Sequence, residues 1–358
     1  MSFIKKISLT QFRNYPQANF HLDAPLVCIA GLNGVGKTNL LDAVYFLCYT
    51  KSYFTSFSQQ LVQLGADGFR VEGWFQNNSL EEQLSCKWKN GKKELFQNES
   101  SCDSIKQYIG RQSAVMVAPD DIALINEGSE IRRKWVDSIL AQTNTEYFDQ
   151  LLKYQQTLAQ RNAWLKANAV KPFNDFTILD YYDSILNETG SFIFKLRSQF
   201  IVGFSHQVSE FYRKVSNAKE EVIIQYVSSL HEKPLAQLLK DSMPNDFMTQ
   251  RTLKGIHKDE FEFFFNGVLI KPLGSQGQKK SYLLALKLAQ YQYLKLSMGH
   301  SPILLLDDIF EKLDGQRLAS LWEIVLSNDF GQVLMTDTES DRLKQILGID
   351  FTIENILL

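Results

Sequence analysis

The chain has 358 residues, a length that suits about two domains at roughly 150 residues each. It is 44% hydrophobic and 22% charged, the balance of a globular protein with material for a large core, which excludes disordered, collagen-like and disulfide-scaffold classes. With 38 Lys and Arg against 40 Asp and Glu the formal charge is −2, so any nucleic-acid contact must come from a local patch rather than a global field.

No apolar run approaches the roughly 20 residues that span a bilayer. The opening stretch, Met1 to Thr10, has no long apolar signal region, so the expectation is a cytoplasmic protein with no membrane partner. Cys28, Cys48, Cys86 and Cys102 include no CxxC pair, which favours reduced structural thiols over a zinc site.

Three textures follow one another along the chain, with no repeat and no Gly/Pro/Ser-rich linker. Residues 1–119 alternate short apolar runs with turns. Leu26–Ala30, Phe69–Phe75 and Ala114–Val117 read as strands, and Asn90-Gly91 reads as a hairpin turn between Leu84–Trp88 and Glu94–Phe96. Residues 120–244 are helical in pattern: Trp135, Ile139 and Leu140, then Phe148, Leu151, Leu152 and Leu158, recur at three, four and seven, and Ile185 to Tyr212 continues in that manner. Residues 245–358 return to strands and helices, with Ile303–Leu306 a continuous buried-strand run. Lys plus Arg stand against Asp plus Glu as 12 to 9, 14 to 16 and 12 to 15 in the three regions, so only the first is basic, and slightly.

Gly31-Leu32-Asn33-Gly34-Val35-Gly36-Lys37-Thr38 fits G-x-x-x-x-G-K-[ST]. It follows the strand Leu26–Ala30 and opens a helix expected over Asn39–Tyr49, the context that gives this motif meaning. Glycines let backbone N–H groups surround phosphate oxygens, and the helix directs its positive end at the same oxygens. Lys37 adds a charge at the β- and γ-phosphates, and Thr38 offers a hydroxyl to Mg²⁺. Gly31, Asn33, Gly34, Val35, Gly36, Lys37, Thr38 and Asn39 are therefore candidate ATP-binding residues.

Ile303-Leu304-Leu305-Leu306-Asp307-Asp308 is an apolar strand ending in two carboxylates. Such a strand delivers side chains to the sheet edge where ligands sit. Asp307 is placed to hold Mg²⁺; Asp308, expected on the opposite face, is the candidate for activating water. Lys37 and Asp307 are 270 positions apart (307 − 37), so a large insertion separates two halves of one site. The expected architecture is a discontinuous head, 1–119 with 245–358, and an inserted helical lobe, 120–244.

Ser275-Gln276-Gly277-Gln278 precedes an apolar helix expected over Ser281–Leu294. A Ser-Gly-Gln turn at a helix N-terminus offers free N–H groups, a hydroxyl and a dipole to an anion, and Ser275 equally suits a simple N-cap. The motif looks like the signature of ABC-type ATPases. With Asp307-Asp308-Ile309-Phe310-Glu311-Lys312-Leu313-Asp314, Phe12-Arg13-Asn14-Tyr15, Pro119-Asp120-Asp121, Arg132-Arg133 through Asp137, and Gly255-Ile256-His257-Lys258-Asp259, it resembles the RecF family of recombination mediators, which are ABC/SMC-like ATPases. The matches run in order from residue 12 to about 338.

That resemblance implies an α/β fold, a P-loop ATPase head of RecA-like core plus antiparallel β with an inserted, mostly helical lobe. It implies a weak Mg²⁺-dependent ATPase that closes as an ATP-sandwiched homodimer. Ser275, Gln276, Gly277 and Gln278 of one copy would cap the γ-phosphate held by the other, making Ser275 catalytic beside Lys37 and Asp308. Arg13 and Asn14 match nucleotide-contacting positions, although an arginine after a strand is usually just solvated. Asp314 matches the D-loop facing the partner copy. Thr336, after an expected strand Gln332–Met335, stands where many ABC ATPases have a switch histidine.

The resemblance further implies DNA binding at single-strand gaps without sequence reading, recombinase loading with RecR and RecO, and a place in DNA replication, repair and the SOS response. The chain itself offers short basic clusters: Lys5-Lys6, Lys87 with Lys89, Lys92-Lys93 and Arg132-Arg133-Lys134. Each taken singly reads as solvated surface. The chain departs from the family's pattern at Lys258, Glu260 and Lys280 and in Lys51–Phe54, where lysine cannot reproduce an arginine's bidentate grip. The competing readings are another SMC/ABC-like ATPase serving as an ATP-switched scaffold or transport motor. Long coiled-coil heads would need hundreds of heptad residues, and a small-molecule P-loop kinase would lack Ser275–Gln278.

Overall fold

The structure is a computed structural model that describes residues 2–77, 80–104, 108, 110–170, 177–216, 220–309, 315–327, 330–338 and the backbone of 352–355. The strands in chain order are β1 (Ser2–Phe12), β2 (Tyr15–His21), β3 (Leu26–Ala30), β4 (Gly68–Asn77), β5 (Leu80–Lys89), β6 (Lys92–Gln97), β7 (Ser100–Ser101) and β8 (Ala114–Val117). After the long helices come β9 (Val222–Val227), β10 (Glu260–Phe265), β11 (Val268–Leu269), β12 (Ile303–Leu306), β13 (Val333–Asp337) and β14 (Thr352–Asn355).

Two compact units are assembled from interleaved segments: Met1–Asp121, Phe211–Ala218 and Leu283–Leu358 in the first, Ile122–Glu210 and Lys219–Tyr282 in the second. Residues 245–282, grouped with the head on sequence texture, fall in the second unit. The reason is local pairing: β10 runs antiparallel to β9 along its length, and Arg161 reaches forward to Asp246 and Thr252.

The first unit holds two sheets. One is parallel, in the order β14-β3-β13-β12-β8. Strands β8 and β12 are buried at every residue, and β3 at four of its five. These are the unbroken apolar runs of a sheet covered on both faces. The other sheet is antiparallel, β2-β1-β4-β5-β6-β7. Between them lies the helix Lys37–Tyr49, which buries residues on every side, as a helix with no solvent face must. Its Leu47 sits so close to β4 that a Cβ on Gly73 would come within 2.6 Å, and its Tyr49 hydroxyl bonds the Ala114 carbonyl of β8 at 2.7 Å.

The second unit combines the helices Ser129–Thr143 and Thr145–Val170, most of Thr177–Ser216, and Leu235–Thr249 with the small sheet β11-β10-β9. Two fully buried arginines hold it together. Arg161 pairs with Asp183 and Asp246 at 2.6 and 2.7 Å. Arg197 pairs with Asp137 and Asp259 at 2.9 and 3.2 Å and also donates to the Ile256 carbonyl. Arg132 takes Glu260 bidentately at 2.8 and 2.9 Å. Two motifs far apart in sequence, Arg132 to Asp137 and Gly255 to Glu260, are thus joined inside one unit as its polar frame. Breaking one such pair strands a buried charge, at about 3–5 kcal/mol.

Among the described residues no helix is long and apolar enough to cross a membrane. Cys28, Cys48 and Cys86 are buried free thiols, and burial pushes Cys28 and Cys86 up to about 12, so they remain protonated packing groups.

Candidate functional site: a phosphate loop closed by an acidic strand

The loop between β3 and the helix Lys37–Tyr49 is shaped by Gly34 at φ +85° and Gly36 at φ +108°. Gly36 is also sterically obligatory, because an added Cβ would lie 2.5 Å from Asn14 Nδ2 and 2.8 Å from the Tyr15 hydroxyl. No side chain caps the helix that follows, so its first N–H groups stay available to an anion. The Lys37 ammonium, almost buried, donates to the carbonyls of Gly31 and Leu32 at 2.7 and 2.9 Å, curled over the loop whose ligand it would meet.

Arg13 and Asn14 are the two turn residues between β1 and β2, with Phe12 opposite Tyr15 and Arg13 at φ +55°. Asn14 braces the loop: its Nδ2 donates to the Val35 carbonyl at 2.9 Å and its Oδ1 accepts from Asn39 at 2.8 Å. Tyr15 adds a hydrogen bond to the Gly36 carbonyl at 3.0 Å. Arg13 is held by buried Asp42 at 3.0 Å, which also accepts from the Ser52 hydroxyl and the Tyr53 amide. Both residues thus brace the loop in addition to any contact with its ligand.

Strands β12 and β13 deliver the remaining groups. The Thr38 hydroxyl reaches both oxygens of Asp307 at 2.9 and 3.0 Å. Thr336 Oγ1 donates to Asp307 Oδ1 at 2.9 Å and accepts from the Asp308 amide at 2.9 Å. Burial pushes the Asp307 carboxyl above the ordinary carboxylate range; the two threonine hydroxyls pull the other way, Asp308 adds to the rise and Lys37 opposes it. Asp308 lines the same cleft as Asp307. Strand β12 ends at Leu306 and Asp308 turns through φ +50°, so strand alternation no longer governs it.

Asn33, Gly34, Gly36, Lys37, Thr38, Asn39, Asp307, Asp308 and Thr336 line one cleft of about 180 Å³. Thr38 and Asp307 are hard oxygen donors in contact, the set that Mg²⁺ accepts when phosphate and water oxygens complete its octahedron. Among the described residues no cluster of three or more His, Cys, Asp or Glu that could hold a metal ion is present.

Ser275–Gln278 belong to the second unit. They open the helix Gln276–Met298 with a reciprocal cap: the Gln278 amide donates to Ser275 Oγ at 3.2 Å, and the Ser275 amide donates to Gln278 Oε1 at 2.8 Å. Gln278 Nε2 also holds Glu220 at 3.0 Å. Ser275 and Gln276 are exposed. Asp314 lies outside the described residues.

Sequence reading missed Lys287, an ammonium only 3% exposed in that same helix. It donates to the Tyr53 hydroxyl at 2.7 Å and the Met116 carbonyl at 3.0 Å, and pairs with Asp121 at 3.1 Å. Tyr53 in turn hydrogen-bonds Asp121. Its signal was a single lysine inside Leu283-Leu284-Ala285-Leu286-Lys287-Leu288-Ala289, an apolar run that buries whatever it contains.

The family model of the RecF/RecN/SMC N terminal domain matches residues 3–350. The DNA replication and repair protein RecF of Flavobacterium johnsoniae is 41% identical over 345 residues, 96% of each chain. That of Cytophaga hutchinsonii is 39% identical over 340 residues, 95% of this chain and 90% of its own. Among solved structures, the recombination mediator protein RecF with ATP in the RecFOR pathway superposes with a TM-score of 0.87 at 30% identity, covering 95% of this chain and 93% of that one. The Smc head domain of Pyrococcus furiosus, bound to the C-terminal domain of ScpA, reaches 0.56 at 17% identity, over 97% and 91%, a likeness of fold alone.

Proposed function

Since the chain belongs to the RecF family of DNA replication and repair proteins, we propose that it is a Mg²⁺-dependent ATPase whose two copies close around two ATP molecules and hold DNA at single-strand gaps. The observation that carries this is the cleft uniting Lys37, Thr38, Asp307 and Asp308. Lys37 and the open helix end take the triphosphate, and Thr38 and Asp307 would hold Mg²⁺, which would supply charge neutralisation to the phosphate oxygens. Asp308 takes the proton of the attacking water, whose oxygen bonds the γ-phosphorus as the bond to the β-phosphate oxygen breaks and ADP leaves.

Ser275 and Gly277 serve the γ-phosphate of the other copy, with Gln276, Gln278 and Asp314 lining that junction. The first unit is then the nucleotide head, and the second carries the signature. Turnover by the isolated chain is slow, because each site is completed only by its partner. DNA held in this state is handed with RecR and RecO to recombinase loading, by contacts to phosphate rather than base edges. The relatives' names and the RecFOR setting of the RecF structure support this reading.

The test is the solution mass of Asp308→Asn by light scattering, with Mg·ATP and with Mg·ADP. A particle of twice the 41.2 kDa monomer with ATP alone supports the sandwich. A monomer in both nucleotides overturns it.

A further inference from the structure

The antiparallel sheet of the first unit turns one face inward onto the helix Lys37–Tyr49 and the other outward. On β5 and β6 the inward set is Leu84, Cys86, Trp88 and Leu95, all buried. Lys93 also turns inward, its amine on the Thr50 carbonyl and over the Phe46 ring. The outward set is Lys87 and Lys89 on β5 and Lys92 on β6, all exposed, joined by exposed Arg70 on β4.

Register makes this face unusual. Arg70 stands directly opposite Lys87, and Lys89 directly opposite Lys92. Like charges paired across strands destabilise a sheet, yet here two such pairs are neighbours. Arg70 is relieved by Glu72 at 2.7 Å, and Glu94 stands across from Lys87. Among the described residues no ion pair or hydrogen bond engages the amines of Lys87, Lys89 or Lys92.

Beside this face lies a cleft of about 470 Å³, whose lining includes Thr10, Gln11, Asp67, Arg70, Lys87 and Lys89. Gln11, at its rim, holds φ +51°, the kind of backbone strain that collects at ligand clamps. Its floor is rigid, since Phe69 and Trp88 stack with ring planes 8° apart, and Gly68 lets β4 approach β5 where a Cβ would meet the Trp88 carbonyl at 2.3 Å. Lys87 and Lys89, two residues apart on β5, with Lys92 across from Lys89, present exposed cations that suit a regular polyanion. It has no donor/acceptor set for reading base edges.

We propose that the outward face of β4, β5 and β6 around Arg70, Lys87, Lys89 and Lys92 is the seat of the duplex DNA backbone, with a phosphate run lying along the adjoining cleft. This rests on the DNA-binding reading above and names the surface that carries it. The favoured occupant is duplex DNA because the cations are spread over three adjacent strands, rather than gathered in a pocket fit for one carboxylate.

The test compares the wild-type chain with Lys87→Gln/Lys89→Gln/Lys92→Gln, following a fluorescein-labelled duplex by anisotropy in Mg·ATP from about 50 to 200 mM salt. The expected result is at least a tenfold weaker Kd, with the slope of log K against log salt shallower by about two to three for each protomer engaged, and ATP affinity unchanged. Equal Kd and slope in the two proteins would overturn the assignment while leaving DNA binding intact. Loss of affinity at an unchanged slope would also overturn it. Unchanged duplex binding with lost binding of a labelled poly-glutamate would give the face to an acidic protein segment instead. A wild-type chain that binds no duplex removes the DNA-binding reading itself, and this surface with it.

Discussion

Thr38 and Asp307 are 269 residues apart in sequence, and the hydroxyl of one lies 2.9 Å from the carboxylate of the other. If these two groups hold the cation as proposed, the contact arranges them before it arrives, so less ordering would remain when Mg·ATP binds. It also sets a conflict. Burial raises the Asp307 carboxyl, so the folded protein holds its proton to higher pH than the unfolded chain does. Stability from this group is therefore present at low pH and is lost as pH climbs from the ordinary carboxylate value through the raised one.

On the proposed reading, negative charge on the buried Asp307 opposes folding, and a cation held there would relieve it. Asp307→Asn is expected to raise the Tm of the nucleotide-free protein and to abolish the further rise that Mg·ATP gives the wild type. Thermal scans with and without Mg·ATP check both halves; a nucleotide-free Tm at or below wild type would contradict the account.

Lys37→Ala should weaken ATP binding about tenfold to a hundredfold, the value of a charged hydrogen bond at about 1.5–3 kcal/mol. Gly36→Ala should do at least as much by another route, since its methyl would displace Asn14 and Tyr15 from the loop. Titration calorimetry with ATP reads both, and full affinity in either variant would detach the loop from the nucleotide.

Lys287→Met leaves Asp121 buried without its cation and should destabilise the protein by about 3–5 kcal/mol. Adding Asp121→Asn should restore a large part of that loss, because the stranded charge is gone. Urea unfolding of the two variants measures it. A double variant no more stable than the single would show that the ion pair is not what holds the Tyr53 loop to this helix.

His257 sits between the Tyr154 hydroxyl on Nδ1 at 2.8 Å and the Thr252 carbonyl on Nε2 at 3.0 Å, which assigns it the neutral Nε2–H tautomer. Burial lowers its pKa to about 4, opposed by the Thr252 hydrogen bond and reinforced by Lys258, Arg133 and Arg161. The unfolded histidine protonates near 6.5 and the folded one only near 4. Stability is therefore complete above about 6.5 and falls as pH drops through that interval, by about 3 kcal/mol in all. His257→Gln should flatten the urea midpoint over the same pH range, and an unchanged slope would clear His257 of the effect.

How much of this could be read from the sequence depended on how each element is buried. Leu26–Ala30, Ala114–Val117 and Ile303–Leu306 were legible to the residue, because strands covered on both faces are plain apolar runs. Strand β1 was not: its register slips between Ile4 and Lys6, which spoils the alternation of Ser2–Phe12. Strands β9 and β10 were hidden beside long helical pattern, and with them the grouping of 245–282. The phosphate loop and Asp307 announced themselves through motif chemistry. Thr336 was noticed only as the absence of a histidine; that its hydroxyl ties Asp307 to the Asp308 amide depends on β12 and β13 being neighbours, which no local pattern states. The charge that holds Arg13, Asp42, was not legible, because it lies on the buried side of a helix where an acid has no compositional signal.

In the parallel sheet, β3 is flanked on one side by β13 and on the other by β14. The strand that leads into the phosphate loop therefore meets its partner far along the chain, with Val333 opposite Leu26, 307 positions away (333 − 26). Until such pairings form, Asp307 and Thr336 are not held beside the loop, so assembly of the cleft waits on some of the most non-local contacts in the fold, the kind that form slowly.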